Sequence, residues 1–220
     1  MKKKITKPIQ NKKRKVTTKS SIKDDFSWQK IVFSLFAIAI LIFASSSKIS
    51  KYNKHRSAED QIALQYIEQY KDLAILEMHR SGIPASITLA QGLHESNSGL
   101  SSLATSANNH FGIKCKSYWV GKTFYHKDDD FKNGKLIESC FRAYESAVQS
   151  YVDHSNFLMG NKLYSSLFEY DHADYESWAY GLKRCGYATD AKYAQKLIDK
   201  IEDYELYIYD FEENPLEVLK

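Results

Sequence analysis

The sequence predicts an α+β fold, predominantly α-helical, with one small β-hairpin lobe inserted between helices. Two observations carry that reading. Apolar residues recur at helical spacing on both sides of a central stretch, and each run is bounded by cap or breaker signals. Between about 111 and 142, aromatic and β-branched residues instead alternate with polar ones, and Asn133-Gly134 supplies a hairpin turn. No internal repeat or low-complexity segment is evident.

A chain of 220 residues is long enough for one domain with a real core. Its net charge of +4 is unevenly spread: residues 1–30 carry eleven Lys or Arg against two Asp, so the remainder is net acidic. The run "IVFSLFAIAILIFA", Ile31 to Ala44, is apolar on every face. With Trp28 and Ser45–Ser47 as flanks it approaches the ~20 residues that cross a bilayer. The basic block ahead of it predicts a cytoplasmic N-terminus, a single pass through the cell membrane, and a periplasmic or otherwise extracytoplasmic domain. A cleaved signal peptide competes, since "FASSS" offers small residues, but a thirty-residue basic leader is long for one. On this reading the positive charge belongs to a membrane anchor and not to a nucleic-acid surface. The expected organisation is a basic tail (1–30), a transmembrane anchor (31–47), a polar stalk (48–56), a folded domain (57–210) and a C-terminal tail (211–220).

Within the domain, "SAED" at Ser57 resembles a capping box with Asp60 in the third position. Ile62, Tyr66, Ile67, Tyr70, Leu73 and Ala74 then recur at helical spacing, and Gly82 breaks the helix. Pro84 suits the first turn of the next helix, with an inner stripe of Ile87, Ala90 and Leu93 or His94. That helix should stop near Glu95, because "SNSG" is turn chemistry. Ser98 or Gly99 opens a short third helix through Leu100 and Leu103. The strands fall in "YWVGKTFYH" and "KLIESCFRAY", with "DDDFKNG" between them. Helical pattern returns after Ser146 (Tyr151, Val152, Ser155, Leu158), then at about 174–185 and 190–204, with Gly186 as a stop.

The cysteines are Cys115, Cys140 and Cys185. The first two bracket the hairpin, and outside the cytoplasm they are candidates for a disulfide. No two thiols or imidazoles sit at ligand spacing with a third nearby, so no metal and no other cofactor is implied.

Glu95 is the acid that raises a chemical question. Cleavage of a glycosidic bond needs a protonated carboxylic acid beside the leaving oxygen, and usually a second group that activates water or stabilises positive charge. A helix C-terminus presents the negative end of the macrodipole, which disfavours the carboxylate, and Leu93, Leu100 and the aromatics of 111–125 offer an apolar wall. Alone, such a residue is more often a solvated turn carboxylate.

The flanking sequence changes that balance. The segments "ITLAQGLHESNSGLSSLA", "NNHFGIK", "YWVGKTF", "CFRAYESAVQSYVDHSNFL" and "GLKRCGYATDAKYAQKLI" closely resemble bacterial peptidoglycan-cleaving endo-β-N-acetylglucosaminidases, glycoside hydrolase family 73, including the flagellar muramidase-like group. The resemblance runs from about Ile62 to Asp210 and implies a lysozyme-like fold whose helical and β lobes enclose a glycan groove. It implies that Glu95, in "A-Q-x-x-x-E-S-x-x-G", is the general acid. Asn109 and Phe111, in "NN-x-FGIK", would shape the groove, and Tyr187, in "GYAT", would stand near the catalytic centre. The second carboxylate is expected a few residues before the hairpin turn, which makes Asp130 the first choice and Asp129 the next. Tyr118 and Trp119 are candidates for stacking on sugar faces. The implied reaction is hydrolysis of the GlcNAc–MurNAc β-1,4 bond in peptidoglycan. Alternatives on the same residues are a lytic transglycosylase, a muramidase, or an inactive glycan-binding module.

Overall fold

The computed structural model describes residues 57–132 and 135–217; for 128–132 and 135–137 it describes the backbone but not the side chains. The expected basic tail, membrane anchor and stalk, and the Asn133-Gly134 turn, lie outside the described residues. Among the described residues no helix is long and apolar enough to cross a membrane.

The first helix, α1 (Ala58–Ser81), starts at the expected capping box. Ser57 Oγ accepts from Asp60 N–H, and Ser57 N–H donates to Asp60 Oδ2, each at 3.1 Å. Such a cap contributes ~1 kcal/mol. Gly82 ends the helix in the left-handed conformation, φ 80°, which a side chain would strain. Pro84 is then the N-cap of α2 (Ala85–Glu95), one residue before the first turn where the sequence pattern put it.

α2 differs from its expectation in a way that matters. The sequence pattern gave it one inner stripe, yet every residue from Ala85 to Leu93 is buried. Helices α1, α5 (Tyr175–Arg184) and α6 (Tyr193–Asp203) pack around it, with a 3-10 helix, Leu206–Phe211. Neither this 3-10 helix nor the one at Lys162–Glu169 was foreseen. The Leu206–Phe211 helix ties down the start of α2: Asp210 accepts from Ser86 N–H at 2.8 Å and Ser86 Oγ–H at 2.6 Å. A buried helix start without such an acceptor would leave orphan donors. Trp178, Leu182, Leu197 and Ile201 complete the core around α2.

After α2 the chain turns sharply. Asn97, Ser98 and Gly99 are all left-handed (φ 51°, 53° and 83°), so none can open a helix, contrary to expectation. Helix α3 starts later, at Ser102–Ala107, where Ser101 Oγ accepts from Ala104 N–H at 3.2 Å. Leu100 is exposed and is no part of an apolar wall.

The β lobe is an antiparallel pair, β1 (Thr123–Lys132) and β2 (Lys135–Arg142). Tyr118 and Trp119 precede it in a loop, so the first strand is later than its alternation suggested. The Asp128–Asp130 run, expected between strands, lies inside β1. Lys127 pairs with Glu138 and Phe131 with Leu136, so three aspartates oppose Ile137 alone in a bulge. Cys115 and Cys140 are joined in a disulfide, Cα–Cα 5.3 Å, and Cys115 N–H donates to the Cys140 carbonyl. This fastens segment 113–115 alongside β2. Helix α4 (Ala147–Gly160) then starts at Ser146, whose Oγ accepts from Gln149 N–H.

Candidate functional site

Glu95 stands at the last position of α2, where the helix emerges from the core. Gln91, one turn earlier, projects on the same face. Tyr193, at the first position of α6, meets both: its hydroxyl accepts from Gln91 Nε2 at 3.0 Å and donates to Glu95 Oε1 at 2.9 Å. Because the Gln91 amide fills the acceptor side of this buried hydroxyl, the phenolic proton is directed at Glu95. Burial holds the Tyr193 phenol far above its ordinary range, and the neighbouring Tyr187 and the Glu95 charge add to the shift. Tyr193 is therefore a fixed hydrogen-bond donor to this carboxyl that keeps its own proton.

Tyr187 follows Gly186, whose left-handed φ of 77° turns the chain after α5. Its ring lies against Tyr193, centroids 5.7 Å apart and 22° from parallel, and its hydroxyl points to the Phe111 carbonyl at 3.5 Å. Phe111 is buried and stacks on the fully buried His154 at 3.9 Å. The Phe111, Tyr187 and Tyr193 rings form one wall of a cleft of about 600 Å³ that also includes His94, Glu95, Lys114, Lys116, Phe157, Tyr164 and Asp190. That volume suits a small-molecule or oligomer segment. Burial and the nearby Lys200 and Lys196 lower the His94 imidazole, favouring its neutral form.

The sequence candidates are distributed unequally. Glu95, Phe111 and Tyr187 share the cleft. Asn109 is buried and its amide holds the backbone: Nδ2 donates to the Ile113 and Arg142 carbonyls at 3.0 and 2.8 Å, and Oδ1 accepts from Ile113 N–H at 3.1 Å. It thus links the Phe111 loop to β2. Tyr118 lines a neighbouring cavity, and Trp119 packs under Arg142, 4.6 Å from ring centroid to guanidinium. Asp130 is in the β1 bulge, and its side chain is outside the described residues. Among the described residues no cluster of His, Cys, Asp or Glu could hold a metal ion.

Two further cleft residues bear on the chemistry. Tyr193 stands at core spacing with Leu197 and Ile201 in the sequence, and it serves the core as well. Asp190, three residues beyond Tyr187, is a second carboxylate lining the cleft. Lys196, 2.6 Å away, and the Lys192 N–H keep its carboxyl below the usual range. Its place directly after "GYAT" was the available signal.

Comparison with known proteins bears on this arrangement. The mannosyl-glycoprotein endo-beta-N-acetylglucosaminidase family matches residues 71–206. The chain is 32% identical to the exo-glucosaminidase LytG of Bacillus subtilis, over 85% of this chain and 69% of that protein. It is 31% identical to the peptidoglycan hydrolase FlgJ of Pseudomonas aeruginosa over 65% of this chain, and it spans only 37% of FlgJ. Among solved structures, the catalytic domain of the Listeria monocytogenes autolysin Auto superposes with a TM-score of 0.60 at 25% identity, covering 74% of this chain and 96% of that domain. The matched region contains the cleft and every element around it. The chain therefore belongs to the glucosaminidase family, and it is a glycoside hydrolase.

Proposed function

We propose that this protein is a membrane-anchored peptidoglycan hydrolase that cleaves the β-1,4 bond between GlcNAc and MurNAc, as an endo-β-N-acetylglucosaminidase, with Glu95 as general acid. The observation that carries the reading is the hydrogen-bonded Gln91–Tyr193–Glu95 series, which runs from the core to the cleft. A glycan strand lies across the cleft. Glu95 Oε2 gives its proton to the leaving oxygen as the bond to the GlcNAc anomeric carbon breaks. The carboxylate that remains keeps the Tyr193 hydrogen bond on Oε1. A donor already in place needs no reorganisation as charge develops.

Asp130 is assigned the second role, activating the water that attacks the anomeric carbon. A bulge in β1 supports this, since bulges re-aim side chains beside active sites. Asp190 is the second reading, favoured by its place in the same cleft and its ionised carboxyl. Loss of turnover in Asp130→Asn but not in Asp190→Asn supports the first, and the reverse pattern supports the second. Residues 31–47 anchor the enzyme from a cytoplasmic N-terminus, so that the stalk limits it to glycan close to the membrane. A chain beginning after residue 47 should then fail to replace the anchored form in cells, and full replacement would remove the anchor from the account.

The test of the chemistry is a zymogram on purified cell walls. Wild type clears the gel, and Glu95→Gln, with the same fold, loses at least ~100-fold of the activity. Equal clearing by both would take Glu95 out of catalysis, and no clearing by either would favour a binding module.

A further inference from the structure

The segment between α5 and α6 joins the two tyrosines of the cleft wall, and one lysine holds it. Residues 186–192 form neither helix nor strand, yet Gly186, Tyr187, Ala188, Thr189 and Asp190 all line the cleft. Lys183, in the last turn of α5, donates from Nζ to the Ala188 carbonyl and to the Thr189 carbonyl, each at 3.0 Å. We propose that Lys183 is a positioning residue for the reaction: its clamp on Ala188 and Thr189 fixes the start of α6, and so aims the Tyr193 hydroxyl at Glu95. The proposal rests on the reading of Glu95 as general acid given above.

A lysine near a helix end usually needs no such account, because it meets the negative end of the macrodipole and the orphan carbonyls there. That role is already filled here. Gly186 N–H donates to the Lys183 carbonyl at 3.1 Å and Tyr187 N–H to that of Leu182 at 3.0 Å, so α5 is closed by its own backbone. Among the described residues Lys183 has no ion-pair partner either. Its ammonium reaches past the helix end to two carbonyls of the next segment. Charge-assisted bonds of this kind are among the stronger ones, and three donors on one nitrogen can serve both acceptors.

The clamp connects to the acid through short steps. Asp190 directly follows Thr189; its carbonyl accepts from Tyr193 N–H at 3.2 Å, and its Oδ1 accepts from Lys192 N–H at 2.9 Å. The first turn of α6 is therefore built on the residue next to the clamp. Tyr187, on the other side of the clamp, lies against the Tyr193 ring. The Tyr193 hydroxyl then meets Glu95. Core packing of Leu197, Ile198 and Ile201 keeps α6 in place without the clamp. A hydrogen bond to a reacting group, however, responds to shifts far smaller than unfolding.

The test uses the full chain on soluble glycan strands and reads new reducing ends across pH. Lys183→Met keeps the length of the stem and removes the donors. Its kcat should fall about threefold to tenfold, and its alkaline limb should move to higher pH, as in Tyr193→Phe. Lys183→Arg should restore most of the rate. In the Tyr193→Phe background, Lys183→Met should lower kcat by no more than about twofold, since the contact it positions is gone. Loss by the same factor in both backgrounds, an unmoved limb, or full activity in Lys183→Met overturns the proposal. A limb shift that persists without the Tyr193 hydroxyl also overturns it, because the ammonium would then act on Glu95 by charge alone, as Asp190, Lys192 and Lys196 do. Lys183→Gln, shorter but polar, gives the same reading if the methionine variant does not fold. Activity retained in Glu95→Gln removes the reading of the acid, whereas an inactive Glu95→Gln with additive Lys183 effects removes only the clamp.

Discussion

Tyr193 does two jobs with one side chain. Its ring fills the core beneath α2, and its hydroxyl, fixed by Gln91, faces the Glu95 carboxyl. Removing only the hydroxyl separates the two. Tyr193→Phe should lower kcat by about tenfold to a hundredfold with KM little changed, since the lost hydrogen bond strengthens as the carboxylate forms. The alkaline limb of the rate profile should also move to higher pH, because a neutral donor favours the charged form of its acceptor. A fall in KM-dependent binding alone, with an unmoved limb, would make Tyr193 merely structural. The limits of the sequence show most clearly here. Glu95 was legible because it lies in the first of five ordered segments. Tyr193 was not, because a tyrosine at i, i+4 and i+8 with Leu197 and Ile201 is fully explained as core. Only the crossing of α6 over the end of α2 brings its hydroxyl to the acid, and no local pattern encodes that crossing.

At the level of elements, α2 is the part on which the site depends, and two contacts keep it in place. Gly92 lies against a buried pair of tyrosines: an added Cβ would come within 2.6 Å of the Tyr66 hydroxyl and 3.1 Å of that of Tyr151. Those hydroxyls bond to each other at 2.9 Å, and Tyr66 bonds to His110 at 3.1 Å, so they cannot simply swing away. Gly92→Ala should therefore cost ~1–3 kcal/mol, measured by denaturant unfolding. Asp210 holds the other end of α2. Burial, larger than the opposing Ser86 hydrogen bonds, raises its carboxyl to about 6 from an ordinary 3.8. A raised acid stabilises the fold in full below the unfolded value and loses that contribution as pH rises through about 6. Asp210→Asn carries no such titration. Its stability relative to wild type should improve between pH 4 and pH 7 by up to ~3 kcal/mol, and a flat difference would contradict the assignment. The ends of α2 were readable from Pro84 and the Ser-Asn-Ser-Gly turn. Its burial on all faces was not, because Ser86, Thr88 and Gln91 imitate a polar face while finding or filling interior positions. The hairpin was readable from alternation, but a bulge adds residues to one strand and so hides the Asp128–Asp130 run among loop signals.

For the molecule as a whole, acid sensitivity follows from two buried imidazoles. Burial lowers His110 to about 4 and His154 to about 3 from an ordinary 6.5. Each stabilises the fold in full above the unfolded value, and the contribution is lost as pH falls toward the folded value. Together they outweigh Asp210, which acts in the opposite direction. The midpoint of thermal unfolding should therefore fall between pH 7 and pH 4, and His154→Gln should flatten the dependence. These histidines sit behind the Phe111 wall, so acid should disturb the cleft before it unfolds the outer helices. The predominantly helical architecture and the hairpin were visible in the chain because each element carries its own caps and period. What was hidden was the convergence of separate elements: α2, the loop after α5, and α6 meeting at one cleft. In the proposed reaction this cleft delivers a proton from Glu95 to the GlcNAc–MurNAc bond. Mass spectrometry of a wall digest tests it most directly. Fragments ending in reducing GlcNAc are expected from the wild type and none from Glu95→Gln. Reducing MurNAc or anhydro-MurNAc ends, or undiminished fragments from the variant, would contradict it.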